Sequence, residues 1–369
     1  MREVETIVVG GGPAGAACAG GLARLGREVV LLERTGGPHH KVCGEFLSVE
    51  TQVQLRRLGI EPIELGAVPI DRVAVYSGAR AVTATLPFCA LSLSRFRLDE
   101  ALLRRAESLG AQLRRNVSVR AVIPGRNGWA VQCGHGETLR TRNLVLATGK
   151  WGVRGLADAR VNSLVGLKMH LRLAPQVRHL LTGRVELVLL NDGYAGLELV
   201  EGGIANLCFL LPGAVVARFG ANWSALRNYL MKEAAPCLTE RFAGGEPLWN
   251  KPITVVCPTG GHLHEKAEAA VYRIGDRLAH IPPFTGDGLA IALSTAALAV
   301  EHIQHDRPPA AYLTAAQQLT GKAIRLASAV SGLAASRIGR SLLLRAAAHV
   351  PVLFRTIVQA TRLPIAETA

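Results

Sequence analysis

Three glycines near the start of this 369-residue sequence have the spacing needed to hold a pyrophosphate. In Gly10-x-Gly12-x-x-Gly15, the first permits a tight turn, the second lets backbone N–H groups approach phosphate oxygens, and the third lets a helix pack closely on a strand. Pro13 and Ala14 complete the turn. Glu33, 18 residues beyond Gly15, can accept hydrogen bonds from a ribose diol. A second constellation lies 260 residues after Gly15. Asp276, following Gly275, can hold a ribose or ribityl hydroxyl. Backbone N–H groups from Gly286 through Gly288 to Leu289, at a helix start, can stabilise negative charge on a reduced ring. A reduced flavin becomes anionic, so two such turns suit FAD bound non-covalently across both.

These groups need elements to hold them. Thr6–Val9 reads as a strand, the Ala-rich run after Gly15 as a helix, and Val29–Glu33 as a second strand. The loop from Arg34 to Ser48 leaves that strand at its carboxyl end, where open α/β sheets place ligands. It carries His39, His40, Lys41, Cys43 and Glu45, and ends at Ser48, a predicted helix N-cap. His39 and His40 are expected at the surface. Residues 70–94 alternate as short strands, and Arg95–Leu109 has helical periodicity. Further strands are expected over 117–123, 129–133 and 144–147, the last running into Thr148-Gly149-Lys150. Longer β-like runs at 165–173, 185–190, 194–200 and 204–211 predict an inserted antiparallel sheet, followed by a helix near 223–235 and a strand near 253–256. A strand over 271–274, a helix over 289–303 and helices beyond Pro309 complete the pattern.

The fold class is therefore α/β with an α+β insert: a Rossmann-like FAD-binding βαβ domain, an inserted antiparallel-sheet substrate domain and a C-terminal helical region. Segments 1–70, 95–160 and 259–306 are assigned to the first, 71–94 and 161–258 to the second, and 307–369 to a helical cap.

Composition narrows the function. An apolar fraction of 49% excludes a disordered chain. The net charge of +14 is spread along the sequence and only 5% of residues are aromatic, so no specific nucleic-acid partner is expected. Seven scattered cysteines without a C-x-x-C pair give neither a disulfide framework nor a metal site. With a strand beginning almost at Met1, this favours a cytoplasmic location. No uncharged run reaches the roughly 18 residues of a membrane span. Residues 329–369 hold Arg337, Arg340, Arg345, Arg355 and Arg362 against one acid, Glu367. That segment fits either peripheral contact with an acidic membrane or a cap packed on the cofactor domain.

Over residues 4–305 the sequence resembles the FAD-dependent oxidoreductases of the p-hydroxybenzoate hydroxylase type, a group that includes aromatic monooxygenases, flavin halogenases and geranylgeranyl reductases. Gly10, Gly12, Gly15 and Glu33 match its ADP-binding part. Gly275 and Asp276 match its second flavin signature, and Pro283, Gly286 and Gly288 match the loop beside the ring. The resemblance implies that Arg95 lies near the cofactor, and adds Arg34, Lys41, Cys43, Gly149 and Leu289 to the binding set. Lys41-Val42-Cys43-Gly44-Glu45 looks most like the geranylgeranyl reductase branch, whose loop carries a cysteine near the flavin. Cys43 and Glu45 are accordingly the candidate catalytic groups, as a proton donor or as an acid or base.

The sequence departs from the family in three places. Thr148 stands where hydroxylases carry an acid. Tyr194-Ala195-Gly196-Leu197-Glu198-Leu199 replaces the reductases' Tyr-x-Trp-x-Phe-Pro, and the halogenases' Trp-x-Trp-x-Ile-Pro is missing. A pocket with His170, Tyr194, Asn206 and Phe284 among apolar neighbours implies a lipophilic substrate. The expected reaction is monooxygenation of an aromatic or polyketide-like molecule through a flavin hydroperoxide. NAD(P)H or a separate flavin-reducing partner would supply electrons. Alkene reduction of the geranylgeranyl reductase type is the alternative. Halogenation and a non-catalytic basic scaffold, bound to membrane or nucleic acid, are weaker ones.

Overall fold

The computed structural model describes residues 3–155, 163–220, 222–234, 236–242, 244–258, 262–263, 271–349, 356 and 359–364. Along the chain run β1 (Glu3–Val9), α1 (Pro13–Arg24), β2 (Val29–Leu32), β3 (Phe46–Leu47), α2 (Val49–Arg57), β4 (Val68–Ser77), β5 (Arg80–Ser92) and α3 (Arg95–Ser108). Next come β6 (Gln112–Arg114), β7 (Val119–Gly125), β8 (Gly128–Cys133), β9 (Thr138–Leu146), β10 (Ser163–Arg172), α4 (Pro175–Leu180), β11 (Gly183–Leu189), β12 (Tyr194–Val200) and β13 (Ile204–Pro212). The remainder is α5 (Gly213–Phe219), α6 (Trp223–Ala234), α7 (Pro236–Phe242), β14 (Glu246–Pro247), β15 (Ile253–Pro258), β16 (His262–Leu263), β17 (Tyr272–Arg273), β18 (Ala279–His280), α8 (Gly288–Gln304), α9 (Pro309–Ala335) and α10 (Arg337–His349).

One sheet has the order β6-β2-β1-β9-β8-β7, with β17 also on β9. Its centre is parallel, and β1 pairs with both β2 and β9. The apolar runs Ile7–Val9, Val29–Leu32 and Leu144–Leu146 are fully buried, as a sheet covered on both faces requires. α1 lies against it between α3 and α8. Its small side chains set those distances: a Cβ on Gly20 would meet Ala106 at 3.3 Å, and one on Gly21 would meet Val300 at 2.8 Å.

The second sheet follows the order β14-β10-β13-β12-β11-β4-β5-β3, with β15 also on β10. It is mixed, not purely antiparallel as expected, because β4 joins β11 in parallel. Residues 71–94 belong with this sheet as expected, but the β4–β5 hairpin precedes α3 in sequence, and its parallel join to β11 is a long-range pairing that local patterning does not reveal. Alternation divides the sheet into two faces. Leu167, Met169, Leu171, Ala195, Leu197, Ala205, Leu207 and Phe209 pack on Leu226, Leu230, Leu238 and Phe242 of α6 and α7. The opposite face is polar and small-chained. His170, Asn206 and Glu198 form one row across β10, β13 and β12; Lys168, Cys208 and Gly196 form the next. Among the described residues no helix is long and apolar enough to cross a membrane.

Candidate functional site

The two glycine turns converge. Gly10 has φ +104, and a Cβ there would stand 2.5 Å from the Ala147 carbonyl oxygen; one on Gly15 would stand 1.8 Å from the Gly10 oxygen. Only glycine permits this strand–turn–helix crossing. Gly12 caps α1 without a side-chain bond, and the first turn carries no acid. The space a Gly12 Cβ would enter is open to 4 Å, as it is at Gly149 and Gly288. Pro13, Ala14 and Gly15 are buried in that first turn. Gly275 has φ +58, and a Cβ there would stand 3.0 Å from the Ala14 methyl and 3.7 Å from Ala292 in α8, so the second turn packs on both helix starts. Its N–H donates to Thr295 Oγ1 at 2.9 Å. α8 likewise begins with no side-chain cap and no acid in its first turn, where Leu289 is buried. Two uncapped helix starts meeting at open glycines fit the anionic and ring ends of FAD.

The cleft beside the first turn is lined by Gly11, Glu33, Thr35, Lys41 and Asp99. Glu33 is buried, and its carboxylate accepts from Gly11 N–H at 2.7 Å and from the Thr35 N–H and hydroxyl at 2.9 and 2.7 Å. Burial opposes ionisation, yet these bonds and Lys41 hold its pKa below the usual range. Lys41 donates to Asp99 at 2.9 Å, and Arg95 makes a two-pronged bond to the same carboxylate at 2.6 and 2.9 Å. Arg34 lies over the Trp151 ring, 5.2 Å from its centre, linking the loops after β2 and β9. Lys150, between them and β15, donates to Cys257 Sγ at 3.1 Å. Burial opposes its charge, but nearby Asp276 and Cys257 raise its pKa. Asp276 itself is half-buried in the turn Gly275–Arg277. Pro283 is exposed in the turn before α8. The side chain of Phe284 lies outside the described residues, as do Arg355 and Glu367.

The loop 41–45 lies on the polar face of the second sheet. A Cβ on Gly166 would meet Val42 at 3.0 Å, and Asn206 donates to the Cys43 carbonyl at 3.2 Å. Cys43 is half-buried, and its sulfur accepts from the Glu45 N–H at 3.4 Å. Glu45 adopts φ +56, a conformation costing about 1–3 kcal/mol for a non-glycine residue. It is held there by the Arg95 N–H at 2.7 Å, the Lys168 ammonium and His170 Nε2 at 3.0 Å. Both Glu45 and Lys168 are 0% exposed. Burial alone would raise the Glu45 pKa, but His170 and Lys168 outweigh it and keep the carboxylate ionised.

Glu198, on the same sheet face, has the opposite environment. Burial pushes its pKa up to about 8, with Glu45 adding to the rise and an Asn206 bond of 2.6 Å opposing it. Glu198 is therefore a neutral acid at pH 7. Burial among Cys208, Cys257 and Cys43 likewise pushes the Tyr194 phenol upward. His40 corrects the expectation of a surface loop residue. It stacks on Phe96 at 4.9 Å, meets the tilted Trp249 ring at 4.8 Å, and meets the His170 ring edge-on. Burial and then Lys168 lower its pKa to about 4. The ligand atoms of His40, Glu45 and His170 lie within 4.8 Å of one another. The Lys168 ammonium on that carboxylate makes the group an ion-paired cluster that repels a further cation.

Sequence reasoning missed Lys168, Glu198 and Lys150. The signal for the first two was available: each is a charge inside an apolar strand, in phase with His170 or Tyr194. It also missed Asp287. This residue is buried, its pKa is raised to about 6 by burial, and it binds Arg362 at 2.7 Å. Arg362 also lies 4.8 Å from the Phe88 ring, so the C-terminal segment braces the loop between the two halves of the site. Because the folded pKa of Asp287 exceeds its unfolded value, stability falls as pH rises from about 4 to 6. Arg362→Met removes the charge that offsets this. We expect a loss of about 3 kcal/mol at pH 7 and less at pH 5, measured by denaturant titration at both values.

Residues 3–166 match the family model described as FAD binding domain. The chain is 25% identical over 320 residues to a menaquinone reductase of Mycolicibacterium smegmatis, covering 81% of this chain and 76% of that protein. It is 27% identical over 350 residues to the flavin-dependent halogenase armH4 of Armillaria mellea, covering 82% and 65%. Its fold is that of the flavin-dependent brominase Bmp2, with a TM-score of 0.78 at 17% identity over 96% of this chain and 92% of that one. Geometry and comparison agree: residues 3–166 form an FAD-binding domain, and the chain is an FAD-dependent oxidoreductase.

Proposed function

We propose that this oxidoreductase reduces a carbon–carbon double bond in a lipophilic, menaquinone-like molecule. The observation that carries the reading is Glu198, a buried carboxyl that keeps its proton at pH 7 while Glu45, on the same sheet face, stays ionised. Two carboxyl groups with diverging pKa values mark an acid and its ionised counterpart. Bound FAD supplies two-electron chemistry at its ring. Glu198 holds the proton that such a reduction must add to the second carbon. Asn206 orients it by donating to Oε1 and ties it to the Cys43 carbonyl. Glu45 anchors Lys168 and His170, fixing the loop 41–45 on that sheet face. Gly166, Gly196 and Leu210 lie on the same face, so small and apolar positions alternate there with the polar ones, which suits a lipophilic chain carrying a polar head.

The likeness to a menaquinone reductase over most of both chains supports reduction, and the cysteine-bearing loop agrees with it. Hydroxylation is the second reading, favoured by the loss of the reductases' aromatic run at Tyr194–Leu199. NAD(P)H or a partner flavoprotein is the proposed source of electrons. The test is mass spectrometry of menaquinone incubated with the protein and NADPH. A gain of two hydrogens that persists after the quinol is reoxidised to the quinone supports reduction of the double bond, and a gain of one oxygen contradicts it.

A further inference from the structure

α9 ends at Ala335, the backbone extends at Ser336, and α10 packs back on α9 and β5. At this corner three large apolar side chains face water: Leu333 is 50% exposed, Ile338 76% and Leu342 58%. Ile338 and Leu342 are four residues apart, so they share one face of α10, and Arg345 continues the same stripe. Arg337 and Arg345 are both exposed. The opposite face is fastened down. Arg340 and Leu344 are buried, and the Arg340 guanidinium donates to the Leu190 carbonyl at 2.6 Å, at the turn leading into Tyr194. Arg80 of β5 donates to Ser341 at 3.2 Å. The corner is thus a rigid ledge on the substrate-domain sheet.

Charge decides what the ledge fits. From Pro309 to His349 the sequence holds Lys322, Arg325, Arg337, Arg340 and Arg345 but no Asp or Glu. A second copy using the same patch would face arginine with arginine and offer no acid from either helix. A surface of anionic phospholipid neutralises the arginines and admits the apolar side chains. The geometry points to this corner as a docking element for an acidic bilayer, with Leu333, Ile338 and Leu342 entering the headgroup boundary and Arg337 and Arg345 meeting phosphates. The inference does not depend on the reaction proposed above.

Sedimentation of the FAD-loaded full chain with phosphatidylcholine vesicles, with and without phosphatidylglycerol, tests it. Binding should require phosphatidylglycerol and fall severalfold between about 0.1 and 0.5 M salt. Ile338→Asp/Leu342→Asp should weaken it at least tenfold with flavin content and unfolding midpoint unchanged. Arg337→Glu/Arg345→Glu, which leaves the apolar side chains in place, should do the same. Wild-type protein left in the supernatant, or either variant binding as the wild type does, overturns the proposal. So does a wild-type dimer that Ile338→Asp converts to monomer while neither protein sediments with vesicles.

Discussion

Replacing Glu198 with Gln should slow product formation by about a hundredfold or more at saturating substrate, the usual loss when a general acid is removed. Glutamine keeps the shape and can still meet Asn206, so binding should change little. The rate at which the flavin is reduced by its electron donor should not change, because Glu198 is assigned no part in that step. Rapid-mixing measurements of the two half-reactions separate these effects. Wild-type turnover should decline above about pH 8, where the Glu198 carboxyl ionises. The variant should lack that decline. A stability signature accompanies it. The folded pKa of Glu198 lies above its unfolded value of 4.5, so wild-type stability is lost as pH rises from about 4.5 to 8. Glu198→Gln should therefore be the more stable protein at pH 9. A variant with unchanged turnover would remove Glu198 from the chemistry.

Lys168→Met should produce the largest stability loss, about 3–5 kcal/mol at pH 7, because it leaves Glu45 buried without its ammonium partner. Methionine fills nearly the same space, so a cavity does not account for the effect. The pH dependence identifies the cause. In the wild type the Glu45 pKa is held low, so its stabilisation is present above pH 4.5 and is lost as pH falls through the folded value. Lys168→Met forfeits much of that contribution, and the gap between variant and wild type should narrow toward pH 4. Lys168→Met/Glu45→Gln, which removes both charges, should recover much of the loss. Denaturant titration of the four proteins gives the coupling energy. Independent, additive effects would show that the pair does not hold the loop.

Much of the cofactor half is legible in the sequence, because its requirements are local. Gly10, Gly15 and Gly275 must lack side chains for reasons that act within one turn or one helix contact, and Ser48 announces α2 by capping it at Thr51. The reaction half depends on pairings between distant segments. Lys168 reads as a stray charge until β10 is set beside β13 and the loop at Glu45 is laid across it. Glu198 reads as one polar residue in an apolar strand until burial makes it an acid. His40 looked like a loop histidine because the rings that enclose it come from α3 and from the segment after β14. Arg362 could not be tied to Asp287 by spacing, since 75 residues separate them.

The most direct test of the central claim is an anaerobic one. Protein loaded with FAD, reduced fully and freed of excess donor, is mixed with menaquinone in the absence of oxygen, and the flavin absorbance is followed. The yellow absorbance should return in step with a product whose two added hydrogens persist after its quinol ring is reoxidised to the quinone. Flavin that stays reduced until oxygen is admitted, and then yields a hydroxylated product, would contradict it.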